Sequence, residues 1–78
     1  MQSPNILILK EVNMETLIKN IKRLMTEKGI TQEQLAEIMN IRQSNVSVML
    51  SGKNDDIYYS TLFNLAKALD VKVKELLE

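Results

Sequence analysis

Cysteine, histidine and tryptophan are absent from these 78 residues, and there are only two glycines and one proline. Without cysteine there is no disulfide framework and no thiolate nucleophile. Without histidine the commonest metal ligand and the commonest general base are missing as well. A transition-metal site would have to be built from carboxylates alone, so neither a metal nor a cofactor is expected. These absences argue against an enzyme. Long apolar runs are lacking too. Ile6-Leu7-Ile8-Leu9 falls far short of the roughly 20 residues that span a bilayer, and no basic region or cleavage site flanks it as in a secretory signal. The expectation is a soluble cytoplasmic chain with no membrane partner and no evident small-molecule ligand.

Neither sign of charge prevails. Ten Lys plus Arg meet ten Asp plus Glu, with a pI near 6.3. Taken alone, that balance speaks against a nucleic-acid binder, for which a basic footprint is expected. The distribution is nevertheless polarised. Residues 1–30 carry five bases and three acids, residues 31–53 two of each, and residues 54–78 three bases and five acids. Apolar residues make up 45% of the chain and charged residues 26%, the balance of a globular protein. A chain this short buries only roughly 60% of its unfolded surface, so a second subunit would help to stabilise it.

Hydrophobic periodicity divides the chain at residue 13. Before it, Ile6 to Leu9 has strand propensity and no helical period, which predicts an extended or disordered arm over residues 1–12. After it, Met14, Leu17, Ile18, Ile21, Leu24 and Met25 form one helical stripe, capped by Asn13 and ended by Gly29. Thr31 to Gln34 matches a capping box and opens a second helix, with Leu35, Ala36, Ile38 and Met39 as its expected buried face. Asn40 can take the left-handed conformation that ends it. A third helix is expected from Gln43 to about Ser51, with Val46, Met49 and Leu50 inward. A fourth runs from about Tyr58 to Leu69, burying Tyr59, Leu62, Leu65, Ala66 and Leu69, and a short fifth from Val71 to Leu77. The fold class is therefore all-α: a compact five-helix domain over residues 13–78 behind a short arm.

Function points to the second and third helices, whose three-residue connection forces a sharp angle. One helix can then lie across a groove while the other braces it. The expected outward face of the third helix is Gln43, Ser44, Ser47 and Ser51, with Asn45 beside it. Small uncharged hydrogen-bonding residues are unusual on an exposed helix, where Glu, Lys and Ala form helix better. Gln can bond an adenine edge bidentately, and Ser can reach any base. Any two helices need a turn, however, and on spacing alone base reading and mere tolerance of Ser and Asn stand level. Asp55-Asp56 reads as a solvated pair, because a calcium loop needs more ligands at fixed offsets. Lys19, Lys22 and Arg23 read as a solvated face, and the five methionines as core filler.

Four patches in order, Thr31-Gln32-Glu33-Gln34-Leu35-Ala36-Glu37, Gln43-Ser44-Asn45-Val46-Ser47, Ser51-Gly52-Lys53 and Leu65-Ala66-Lys67-Ala68-Leu69-Asp70-Val71, resemble the lambda-repressor-like (Cro/repressor, XRE-type) helix-turn-helix family. The resemblance covers residues 14–77. It implies double-stranded DNA as the partner, with Gln43, Ser44 and Ser47 reading base edges. Gln32 would hold a phosphate and brace the recognition helix, while Gly52 and Lys53 approach the backbone. Arg42, where the family usually has a Ser or Thr cap, puts a cation beside Asn45 at the same backbone. Met25 and Leu50 stand where many relatives carry an Arg–Glu pair, and Asp70 where Gly usually ends the fourth helix. The implied function is a DNA-binding transcriptional regulator, a repressor acting as a homodimer on a two-fold-related operator. A restriction–modification controller, an antitoxin-type autoregulator, and an interaction module that has lost DNA binding are the alternatives. Ile6, Leu7, Ile8 and Leu9 are the favoured dimer contact, ahead of an arm folded over its own helices; Val71, Val73, Leu76 and Leu77 are the competing dimer surface that the resemblance suggests.

Overall fold

A computed structural model describes residues 13–53 and 57–78. Among these the chain forms five helices and no strand: α1 (Met14–Lys28), α2 (Gln32–Met39), α3 (Gln43–Leu50), α4 (Tyr59–Ala68) and α5 (Val73–Leu77). The expected arm with Ile6, Leu7, Ile8 and Leu9, and the Asp55-Asp56 pair, lie outside the described residues.

The starts of α1 and α2 follow from their caps. Asn13 Oδ1 accepts the Thr16 N–H at 3.1 Å. Thr31 Oγ1 accepts the Gln34 N–H at 3.1 Å, and Gln34 Oε1 accepts the Thr31 N–H at 2.9 Å, a complete capping box. Each bond satisfies a backbone donor that the first turn leaves without a helical partner.

Three helices end by one device. Gly29, Asn40 and Asp70 take positive φ of 67°, 58° and 56°, and each is followed by a β-branched apolar residue. Those residues close the turn behind them. The N–H of Ile30 donates to the Met25 carbonyl at 2.9 Å, that of Ile41 to Ala36 at 3.0 Å and that of Val71 to Ala66 at 2.9 Å. This is the Schellman arrangement, which satisfies the last carbonyls of a helix. It also corrects the expected start of α5. Val71 serves the end of α4, so α5 begins two residues later at Val73. Glu75 Oε2 accepts the Lys72 N–H at 2.7 Å and fixes the new start.

The core joins Leu17, Ile21 and Leu24 of α1 to Leu35 of α2, Val46 of α3, Leu62, Leu65 and Leu69 around α4, and Leu76 of α5. Met25 and Leu50 are both buried in it, so apolar side chains occupy the positions where the resemblance suggested an ion pair in relatives. The methionines of the described residues are buried or partly buried, as filler should be. Asn20 is the buried polar residue of the core; its Nδ2 donates to the Leu76 carbonyl at 2.8 Å and ties α1 to α5.

Two expected core residues are not there. Ile38 is 56% exposed. At roughly 100° per residue it lies about 60° outside the arc spanned by Leu35, Met39 and Ala36, so α2 cannot bury all four. Tyr59 is only half-buried. Its ring rests on Phe63, centroids 4.8 Å apart, and Phe63 is itself exposed.

Candidate nucleic-acid interface

The α2–α3 pair is held by its own backbone. Asn40, left-handed at φ 58° and ψ 45°, turns the chain. Ile41 closes α2, and Arg42 enters α3 with extended backbone at φ −75° and ψ 146°. α2 packs more extensively on α3 than on α4, and α3 also touches α1. Val46, Met49 and Leu50 turn inward, which fixes the opposite side of α3 as the outward one.

Ser44 and Ser47 lie toward that side, with Gln43 and Asn45 flanking it at the first turn. Gln43, Ser44, Asn45 and Ser47 are all exposed, and none of their side chains hydrogen-bonds another described residue. Arg42 is exposed as well, and its side chain makes no cap bond to α3. Its carbonyl accepts the N–H of Asn45 and Val46 instead. Among the described residues the guanidinium has no partner. Gln32, first residue of α2, is half-buried beside a helix amino end whose orphan N–H groups favour an anion.

Ser51 departs from the expected outward set. Its hydroxyl donates to the Val48 carbonyl, and its oxygen accepts the Lys53 N–H at 3.3 Å. The side chain therefore closes α3 and shapes the turn through Gly52, at φ 81°, that carries exposed Lys53. Val48 joins the face unannounced. It is 46% exposed and lies about 200° round the helix from buried Val46. The sequence pattern assigns its neighbours on α3 to the polar face or the core, and Val48 to neither. Counting the helix angle from Val46 would have found it.

The charges around this face form no ion pair among the described residues. The ion pairs of the described residues, Arg23–Glu27 at 3.2 Å and Lys74–Glu78 at 3.6 Å, are exposed i,i+4 pairs on α1 and at the carboxy end. Neither Arg42 nor Lys53 pairs with a described residue. Lys19, Lys22 and Arg23 are exposed along α1, as a solvated face would be.

The family model for the Cro/C1-type helix-turn-helix DNA-binding domain matches residues 20–78. The chain belongs to this family. Its five-helix fold and the α2–α3 unit are those of a DNA-binding regulator of this family. Among solved structures, the restriction-modification controller protein C.AhdI from Aeromonas hydrophila is similar, with 28% sequence identity and a TM-score of 0.71. The likeness covers 82% of this chain and 96% of that one. No curated protein matches the sequence.

The dimer candidates divide on burial. Leu76 is 0% exposed and already belongs to the chain's own core, so it is no contact for a second subunit. Val73 is half-buried and Leu77 exposed; of the residues named on α5, these two present surface. No helix of the described residues is long and apolar enough to cross a membrane.

Proposed function

We propose that this Cro/C1-type domain binds a specific, two-fold-related DNA operator as a homodimer and represses by occupying promoter DNA. The observation that carries the reading is the outward face of α3, where exposed Gln43, Ser44 and Ser47 have no role in the fold. Gln43 bonds an adenine or guanine edge, and the two serines, shorter and able to donate or accept, adjust to their neighbours. Val48 supplies an apolar contact suited to a thymine methyl. Gln32, Arg42, Asn45 and Lys53 hold phosphates and set the register without reading sequence.

The homodimer follows from the operator symmetry that such modules use, with recognition helices one DNA turn apart. Val73 and Leu77 on α5 form its contact. The likeness to a restriction-modification controller supports a closely related second reading, in which the regulated genes include the chain's own. A band-shift with the DNA flanking its own gene tests both. Retarded DNA that survives excess random competitor supports the proposal; retardation abolished equally by any competitor refutes it.

A further inference from the structure

One cation of α1 stands apart from its neighbours. Lys22 lines a surface depression of about 450 Å³ together with Ile18 of its own helix, Leu50 at the end of α3, and Ser51 and Gly52 of the turn that follows. Lys19 and Arg23 do not line it, and Arg23 is already paired with Glu27. Lys22 is exposed and forms no ion pair among the described residues. Its stem can lie along the apolar wall while the ammonium stays in water. Glu15 also lines the depression, but about 10 Å from Lys22 along the axis of α1.

The turn that faces Lys22 offers a donor of its own. Ser51 has helical backbone, φ −77° and ψ −17°, and Gly52 follows at φ 81°, a succession that directs N–H groups toward an anion. The Ser51 N–H donates to the Val48 carbonyl and the Lys53 N–H to Ser51 Oγ. The Gly52 N–H has no acceptor among the described residues. Nothing stands within 4 Å of the place that a Cβ would take at Gly52, so the surface there is open.

Position decides which anion fits. α3 has eight residues, a length of about 12 Å, and a DNA major groove is about 12 Å wide. A helix lying across that groove has a phosphate backbone near each end. Arg42 stands at the amino end of α3, and the depression lies against its carboxy end. We infer that Lys22 is a DNA-phosphate anchor, its ammonium and the Gly52 N–H together holding one backbone phosphate beside the carboxy end of α3. This contact rests on the DNA binding proposed for α3 and adds to it an anchor from α1. It sets register and carries no base information. Lys22 then leaves the solvated face on which Lys19 and Arg23 remain.

The test uses the full chain and the duplex that the band-shift identifies. Equilibrium binding is measured at several salt concentrations for the chain and for Lys22→Gln, Lys22→Arg and Lys19→Gln. Lys22→Gln should flatten the log–log salt dependence by about 0.9, one phosphate contact. Lys22→Arg and Lys19→Gln should keep the slope of the unaltered chain. A series of duplexes, each with a different phosphate replaced by an uncharged methylphosphonate, then locates the contact. At one position the unaltered chain should lose affinity and Lys22→Gln should lose far less. An unchanged slope in Lys22→Gln, an equal fall in Lys19→Gln, or equal losses by chain and variant at every methylphosphonate would overturn this assignment and leave DNA binding through α3 standing. A chain that retards no duplex would overturn both.

Discussion

Val46 and Val48 are the same residue type two positions apart on α3, yet one is fully buried and the other 46% exposed. Their difference is helical angle, and it separates a core residue from one on the outward face of α3. Loss of two methyl groups in Val48→Ala removes little from the fold, because the side chain packs against no core. It should instead weaken discrimination at one thymine-bearing base pair, by roughly 1 kcal/mol as the low end for a specific base contact. A panel of single-base operator variants, measured by equilibrium binding, checks this; an equal loss on every variant would remove Val48 from the reading face. Ser44→Ala and Ser47→Ala should likewise each relax one position, by less than a bidentate contact is worth. Affinity unchanged on all sequences would show those hydroxyls to be merely tolerated.

At the scale of the element, the proposed phosphate contact of Arg42 opposes its place at a helix start. The residue stands at the N-cap of α3 without making a cap bond, where a Ser would contribute about 1 kcal/mol. Arg42→Ser should therefore raise the melting temperature while flattening the salt dependence of DNA binding by about 0.9 in log–log slope, one phosphate contact. Calorimetry and binding at several salt concentrations read the two effects separately; a fall in melting temperature, or an unchanged slope, would contradict this division. The helix ends show how much a sequence discloses. Gly29, Asn40 and Asp70 were legible as stops, since few residue types accept positive φ. Val71 was not, because an apolar residue in helical register with Val73 and Leu76 looks the same whether it starts one helix or closes another. Ile38 was misplaced for a related reason: α2 is short, and an apolar side chain at its edge has no partner layer to meet. The candidate site was largely legible, because Gln43, Ser44 and Ser47 have no packing duty to mask them. The role of Ser51 was hidden, as a hydroxyl that bonds backbone has the same letter as one that faces solvent.

For the whole molecule, neighbouring leucines at the carboxy end divide between core and surface. Leu76 is buried in the core, with its carbonyl held by Asn20, so Leu76→Ala should cost about 2–5 kcal/mol of stability, as buried Leu truncations do. Leu77 is exposed, and Leu77→Ala should leave the monomer's fold nearly intact while weakening the dimer. Thermal melts and sedimentation of both variants check the pair; a Leu77→Ala protein with unchanged dimerisation would exclude that side chain from the interface. Net charge of zero sets the balance of the DNA interaction. With little long-range attraction, non-specific affinity should be weak, and most discrimination must come from contacts at the α3 face. The most direct test is therefore a comparison of the chain and its Gln43→Ala variant on a preferred duplex and on a scrambled duplex of equal length, at one near-physiological salt concentration. The variant should lose about 1–3 kcal/mol on the preferred duplex and almost nothing on the scrambled one. Equal losses on the two duplexes, or no loss on either, would contradict the assignment of sequence reading to α3.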